Sequence, residues 1–247
     1  MAATTGRRFS GAPKRDENSS RPVADATVAI GRDAAQAAGP SLAFERACWA
    51  QGAIYVAGVD EVGRGAWAGP VVAAAVILPP NPAVASALAG VDDSKKLLPR
   101  ERERLAALIL KHAVAAAVGQ APPGDVDRCG LLPATARAME RALALLPHNP
   151  DHLLLDGLPL RALARRHTAI VRGDALCLSI AAASIVAKVA RDRLMGELDG
   201  LHPGYAFAAH KGYGAPAHVA ALHQLGPSPA HRLSYAPVAA IAAQSWA

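Results

Sequence analysis

The chain has 247 residues and a formal net charge of +6, and this length is sufficient for one large domain with a substantial core. Apolar residues make up 52% of the chain and charged residues 19%, which excludes a chain-long disordered polymer. Its 3 cysteines are widely spaced, so a disulfide-stapled secreted module is disfavoured and a cytoplasmic location is expected.

The two ends of the chain differ in texture from the rest. Residues 1–40 are rich in Ala, Gly, Ser, Pro and Arg without a sustained period, which predicts a disordered tail before a domain over residues 41–240. Residues 241–247 are predicted to be a C-terminal tail. The longest apolar stretches, at 71–78 and 175–187, fall short of the roughly 20 residues of a membrane span, so no membrane association is expected.

The domain is predicted to begin with two strands that are close in sequence. Residues 54–60 and 70–78 are short apolar runs bounded by glycine or proline, a pattern typical of buried strands. Residues 61–69 contain three glycines and are predicted to form the loop between the strands.

Helices and further strands follow. Apolar residues recur at helical spacing over residues 100–112, 133–146 and 178–198. Residues 113–118 fit either a third strand or a continuation of the preceding helix, and short strands are predicted over 153–155 and 168–172. The small residues 181–184 are expected to allow close packing of the last helix on the sheet. This order predicts an α/β domain with a mixed sheet.

Four acidic residues lie where predicted strands stop. Asp60 and Glu61 end the first strand, Asp156 ends a later one, and Asp174 follows another. Sites in open α/β sheets gather at the carboxyl edge of the strands, and several carboxylates there require a counter-charge. Hard divalent cations such as Mg²⁺ prefer such oxygen ligands. A pair of these ions is a common device for phosphodiester hydrolysis.

The adjacent acids carry a geometric condition. Neighbouring side chains of a regular strand point to opposite faces, so we expect Asp60 and Glu61 to share a metal site only if the strand ends between them. Gly63 and Gly65 make such a break plausible. The alternative is a structural protein with incidental acids, because Asp-Gly after a strand is an ordinary turn.

Several sequence motifs in a fixed order resemble the bacterial ribonuclease HII family. They are GVDEVGRG at 58–65, AGPVV at 68–72, DSKKL at 93–97, DG at 156–157, GD at 173–174, SIAAASIVAK at 179–188, RD at 191–192, HKGYG at 210–214 and HRLSYAPV at 231–238. Together they span about residues 45–238.

The resemblance implies a ribonuclease H-like fold, with a mixed five-stranded sheet flanked by helices and a small helical C-terminal part. It implies an endonuclease that cleaves RNA in RNA–DNA hybrids, including single ribonucleotides embedded in duplex DNA. The cut would fall on the 5′ side of the ribonucleotide and leave 3′-hydroxyl and 5′-phosphate ends, as ribonucleotide removal during replication and repair requires.

The same resemblance implies the metal site. Asp60, Glu61, Asp156 and Asp174 would be catalytic ligands of Mg²⁺ or Mn²⁺, in a site for two ions, with water as the nucleophile. Asp192 is a rival for the fourth acid, although a salt bridge within its helix near Arg191 and Lys188 is the expectation for it.

The resemblance also implies substrate contacts. The backbone of Gly63, Arg64 and Gly65 would approach the 2′-hydroxyl, the group that marks a ribonucleotide within DNA. Tyr213 would stack on the sugar of the next nucleotide. Phosphate contacts would come from four lysines, Lys95, Lys96, Lys188 and Lys211.

Three alternatives stay open at this point. A ribonuclease HIII-like enzyme would share the chemistry but prefer longer RNA stretches, and a non-catalytic hybrid-binding domain would bind without cutting. The structural protein would bind no metal. We expect a monomer whose partners are RNA–DNA hybrids and ribonucleotide-containing duplexes. The C-terminal residues are too generic to indicate a sliding clamp.

Overall fold

The computed structural model of the chain describes residues 39–157, 159–163 and 165–244, so residues 1–38 of the predicted N-terminal tail lie outside it. Within this part of the chain, five strands form one sheet in the order β3-β2-β1-β4-β5. Their bounds are Val56–Val62 for β1, Val71–Ile77 for β2, Ala115–Ala121 for β3, His152–Asp156 for β4 and His167–Ile170 for β5. Strand β1 is antiparallel to β2 and parallel to β4, which confirms the predicted mixed sheet.

The helices cover both faces of this sheet. They are α1 (Ala43–Ala50), α2 (Ala83–Ala87), α3 (Pro99–His112), α4 (Pro123–Cys129), α5 (Leu131–Ala144), α6 (Gly173–Leu176), α7 (Leu178–Leu201), α8 (Phe207–His210), α9 (Pro216–Leu225) and α10 (Ala236–Gln244). Helices α3 and α7 share one apolar core with β2, and α5 packs into a second core on the opposite face. Among the described residues, no helix combines the length and apolar character that crossing a membrane requires.

Glycine permits a close helix–sheet contact. A Cβ atom on Gly58 of β1 would lie 2.2 Å from the backbone carbonyl carbon of Ser179 in α7, far inside van der Waals contact. Because α7 lies this close to β1, its side chains reach directly over the strand that carries Asp60.

The end of β1 differs from the prediction. Glu61 and Val62 remain in the strand, paired with Ala73 and Val72 of β2, so the expectation that the strand ends between Asp60 and Glu61 is wrong. The antiparallel ladder with β2 holds both residues in regular pleat. The loop begins at Gly63, two residues later than predicted.

Other boundaries follow from pairing. Residues 113–118 belong mainly to β3 rather than to a longer helix, because β3 pairs with β2 from Ala115 to Ala121. The predicted end of the domain at residue 240 falls inside α10, Ala236–Gln244. The small helical C-terminal part has its own core, in which Phe207, Leu222 and Val238 pack around Met195 of α7.

A side chain of helix α1 caps the N-terminus of helix α7. The Glu45 carboxylate of α1 is fully buried, and its Oε1 atom accepts from the Ser179 backbone amide at 2.7 Å and from the Cys177 thiol at 3.2 Å. Its Oε2 atom has no hydrogen-bond partner among the residues that the structure describes. Burial raises the pKa of the Glu45 carboxyl, since desolvation disfavours the charged form.

Two substitutions, Glu45→Gln and Glu45→Ala, are expected to distinguish the effect of the capping hydrogen bond on stability from the effect of the buried charge. A carboxyl whose pKa is raised on folding destabilises the folded state as the pH rises above its unfolded pKa of about 4.3. Glu45→Gln keeps an acceptor without the charge. The melting temperature of this variant minus that of the parent chain should therefore increase from pH 4 to pH 7. Glu45→Ala leaves the Ser179 amide unpaired and should cost about 1–3 kcal/mol. Thermal unfolding across this pH range checks both, and a constant difference between parent and Glu45→Gln would contradict the buried charge.

Candidate active site

Three carboxylates meet at the carboxyl edge of the sheet. Val59 and Leu155 are paired in the parallel strands β1 and β4, so Asp60 and Asp156, one residue further on, lie side by side in the sheet. Asp156 Oδ1 accepts hydrogen bonds from the backbone amides of Gly173 at 2.7 Å and Asp174 at 3.4 Å. These two bonds bring the start of α6, and with it Asp174, to the same edge.

Glu61 approaches this edge from the other face of the sheet. Asp60 is buried, and the nearby Ser184 hydroxyl of α7 partly offsets the rise in the pKa of its carboxyl. Glu61 instead pairs with Arg64 at 3.1 Å and lines a cavity of about 720 Å³ beside α5, which Asp156 also lines. The two adjacent acids therefore flank the sheet edge, and Asp156 lies within reach of both.

The acids raise one another's pKa. Burial, then the charges of Glu61 and Asp156, raise the pKa of Asp60 well above its ordinary value. Burial and the charge of Asp174 raise the pKa of Asp156, and burial raises that of Glu61 although Arg64 opposes it. Like charges and desolvation both disfavour ionised carboxylates, so this cluster would be stabilised by an added cation.

Lys95 supplies part of that positive charge. Its Nζ atom lies 3.1 Å from Asp174 Oδ2 and 3.6 Å from Asp93 Oδ1, and its charge lowers the pKa of Asp156. The same loop reaches Asp60 through a second contact, since the Ser94 and Ser184 hydroxyls are 3.0 Å apart. Sequence reasoning assigned Ser184 to packing, whereas the structure places it between a catalytic candidate and this loop.

The donor atoms fit a hard divalent cation, although they are not drawn together around one point. Carboxylate oxygen is the ligand that Mg²⁺ and Mn²⁺ prefer, and the mutual repulsion at this edge favours an ion. Among the described residues, however, no group of three His, Cys, Asp or Glu side chains has a ready metal-binding arrangement. Binding an ion would require Asp174 to turn from Lys95 and Glu61 from Arg64.

The glycine loop after β1 is held from beneath by two buried arginines. Arg191 and Arg232 are both 0% exposed and donate to backbone carbonyls around the loop. Arg191 donates to Ala68, Pro70 and Lys211, and Arg232 donates to Arg64 and Gly69. Sequence reasoning did not find this role. The two arginines lie in the motifs RD at 191–192 and HRLSYAPV at 231–238, but the spacing of these motifs does not show that both arginines contact one loop.

Gly63 and Gly65 have different surroundings. Gly63 is buried with φ +90°, and a Cβ there would lie 2.1 Å from Arg191 Nε. Gly65 is exposed, and its Cβ would meet only the Tyr213 ring, at 3.9 Å. The fold therefore requires glycine at 63, whereas the space above Gly65 is open.

Tyr213 stands at the far side of this loop. Its side chain is 39% exposed, and the Arg191 guanidinium lies 5.5 Å from the centre of its ring, within range of a cation–π contact. One face of the predicted stacking residue is thus supported by the arginine that also contacts Gly63.

The remaining lysines are paired or lie beside the site. Lys96 Nζ is 3.0 Å from Asp92 Oδ1, and Lys188 Nζ is 2.6 Å from Asp192 Oδ1. The predicted salt bridge of Asp192 is therefore present. Lys211 lines a shallow cavity with Lys188. All three stay predictions as phosphate contacts.

A mixed five-stranded sheet with carboxylates at this edge defines a ribonuclease H-like enzyme. A family model described as Ribonuclease HII matches residues 57–238. A protein named Ribonuclease HII from Synechococcus sp. (strain JA-3-3Ab) is 53% identical over 199 residues, which is 81% of this chain and 89% of the relative. The chain belongs to the ribonuclease HII family, and the predicted enzyme class is confirmed.

Solved structures agree with this assignment. The ribonuclease H2 from Pyrococcus horikoshii OT3 superposes with a TM-score of 0.64 at 27% identity, over 77% of this chain and 98% of that one. The RNase HII in a PCNA complex from Archaeoglobus fulgidus gives 0.60 at 26% identity, over 73% and 95% of the two chains. The predicted ribonuclease H-like fold is confirmed.

Proposed function

We propose that this chain is a Mg²⁺- or Mn²⁺-dependent endonuclease that hydrolyses RNA in RNA–DNA hybrids, including single ribonucleotides embedded in duplex DNA. The cut falls 5′ to the ribonucleotide and leaves 3′-hydroxyl and 5′-phosphate ends. The observation that carries the proposal is the meeting of Asp60, Asp156 and Asp174 at one sheet edge, with Glu61 beside them. Family membership supports the substrate class.

Asp60, Glu61 and Asp156 would hold the ions, and Asp174 would complete the site. Because β1 continues past Asp60, Asp60 and Glu61 would not share one position but would each act beside Asp156 from opposite faces of the sheet. When bound, a pair of divalent ions lowers the pKa of a water nucleophile and stabilises the leaving oxygen. The chain's own part is to hold these carboxylates together at the sheet edge, where their raised pKa values favour a bound cation. The Glu61 backbone amide, whose nitrogen is 2.7 Å from Asp60 Oδ1, orients Asp60.

Two cations beside the acids are placed to serve the substrate. If the acids held metal ions, Lys95 would be released from Asp174 and Arg64 from Glu61, and both are exposed enough to reach a phosphate, with side chains 75% and 46% exposed. Lys96, Lys188 and Lys211 add to this positive surface. Each phosphate contact releases counterions, so binding of the hybrid should weaken as salt rises.

Recognition of the ribonucleotide falls to the backbone of the glycine loop. Only the 2′-hydroxyl distinguishes a ribonucleotide from its neighbours in DNA, and the open face of Gly65 lets the sugar approach main-chain donors and acceptors. Tyr213, beside Gly65, stacks on the sugar of the next nucleotide and favours deoxyribose there.

The experiment is cleavage of an end-labelled DNA duplex with one ribonucleotide, with and without Mg²⁺, compared with a duplex carrying a run of four. We expect a cut on the 5′ side of the single ribonucleotide that EDTA abolishes. Cleavage of the run alone would assign ribonuclease HIII-like specificity. Binding without any cut in Mg²⁺ or Mn²⁺ would identify a non-catalytic domain and refute the proposal.

A further inference from the structure

A buried group of histidines lies behind Tyr213. His218 of α9 is 0% exposed and His231 is 2% exposed, and their Nε2 atoms are 2.9 Å apart. The Nδ1 atom of His218 lies 2.9 Å from the Tyr213 carbonyl oxygen. None of these rings belongs to the carboxylate site, so their arrangement has no explanation in the chemistry described above.

The contacts fix which nitrogen carries each proton. The Ser228 backbone amide donates to His231 Nδ1 at 2.9 Å, so His231 carries its proton on Nε2 and donates it to His218 Nε2. His218 Nε2 is then an acceptor, and its proton must be on Nδ1, where it is donated to the Tyr213 carbonyl. A neutral imidazole has one donor and one acceptor, and each ring uses both.

The surroundings of both rings favour the neutral imidazole. Burial lowers the pKa of His218, and burial with the neighbouring His218 charge lowers that of His231 to about 4. His202 and His210 also face this group and act in the same direction. A second proton on either ring would set two N–H groups against each other across the 2.9 Å contact.

The backbone of the segment that carries Tyr213 is held by hydrogen bonds on both the N-terminal and the C-terminal side of this residue. The Tyr213 amide donates to the His210 carbonyl at 3.0 Å, and the Gly212 carbonyl accepts from the Trp67 amide at 2.8 Å. On the other side, the His218 imidazole holds the Tyr213 carbonyl. Lys211, two residues earlier, has φ +54°, so this turn is strained and depends on such contacts.

We propose that His218 is a positioning residue for Tyr213 and, through it, for discrimination at the nucleotide that follows the ribonucleotide. Ser228 and His231 set the tautomer of His218, and His218 sets the height of the tyrosine ring above Gly65. The inference rests on the proposed function for its substrate, whereas the proton chain itself is a property of the free protein.

Two variants of similar size separate the contacts of His218. The side-chain amide of asparagine occupies the place of Nδ1, so His218→Asn keeps a donor to the Tyr213 carbonyl and loses the contact with His231. The longer glutamine reaches the place of Nε2, so His218→Gln keeps the contact with His231 and loses the donor. The measured quantity is the ratio of kcat/KM for a ribonucleotide followed by DNA to that for one followed by a second ribonucleotide.

We expect this ratio to fall about fivefold to tenfold in His218→Gln, the effect of one hydrogen bond, and to stay within about twofold in His218→Asn. Equal losses in the two variants, or an unchanged ratio in His218→Gln, would overturn the proposal. ¹⁵N NMR of the imidazoles tests the wild-type chain directly, with His218 expected as the Nδ1–H form and His231 as the Nε2–H form. The opposite tautomers would refute the proton chain even if no substrate were cleaved, and this result is independent of the proposed function.

Discussion

Asp60→Asn is expected to lower cleavage of the single-ribonucleotide duplex by about 10³-fold or more, with binding of the hybrid largely intact. Under the proposed function, this substitution removes one of the carboxylates that would hold the divalent ions. Loss of an ion's stabilisation of the transition state raises the barrier by several kcal/mol, at 1.36 kcal/mol for each tenfold in rate. Cleavage rates and binding to the same duplex in Ca²⁺ check the two halves of this expectation.

The folded state of Asp60→Asn should be at least as stable as that of the parent chain, although its activity falls. The pKa of Asp60 is raised by burial and by Glu61 and Asp156, so its ionised form destabilises the folded state above the ordinary aspartate pKa. Asp60→Asn removes that charge and keeps the acceptor for the Glu61 amide. We therefore expect an equal or higher melting temperature at pH 7, which excludes unfolding as the cause of the lost activity.

A matched control lies on the same helix that covers Asp60. Asp199 is in α7, 15 residues after Ser184 and so roughly 20 Å along the helix axis. Asp199→Asn makes the same chemical change and should leave turnover within about twofold, as for a surface substitution away from the site. Near-normal turnover in Asp60→Asn, or an equal loss in Asp199→Asn, would contradict the assignment of Asp60.

The sequence predicts the parts of this site that depend on local order. Apolar runs that stop at Asp60 and Asp156 indicate strands with acids at their ends, and parallel pairing of β1 with β4 brings those ends together. The register between β1 and β2 does not follow from such runs. It keeps Glu61 in the strand, and for that reason the adjacent acids approach the edge from opposite faces.

The long-range contacts could not be read from the sequence. Arg191 and Arg232 are buried and donate to backbone carbonyls that are distant in sequence. Pro70, for example, is 121 residues from Arg191. Glu45 caps α7 across 134 residues. Spacing rules describe neighbours on one helix or strand, so residues that join distant segments through the backbone leave no periodic signal.

Gly65→Ala is expected to fold like the parent chain and to lose about 10²-fold in kcat/KM. An alanine Cβ at this position would touch only the Tyr213 ring, at the ordinary contact distance of 3.9 Å. Replacing glycine where the backbone is compatible even stabilises slightly, by about 0.4–1 kcal/mol. The added methyl group projects into the space assigned to the ribose, and a displacement of about 1 Å can cost 10²-fold in rate.

Gly63→Ala, two residues earlier, is the matched variant with the opposite expectation. Its Cβ would lie 2.1 Å from Arg191 Nε at a φ of +90°, so the buried guanidinium must move and its bonds to the loop carbonyls must break. Thermal unfolding should show a large loss of stability for Gly63→Ala and none for Gly65→Ala. Full cleavage by Gly65→Ala would mean that the open face of the loop is not where the ribose lies, and a common loss of stability would mean that both glycines serve the fold alone.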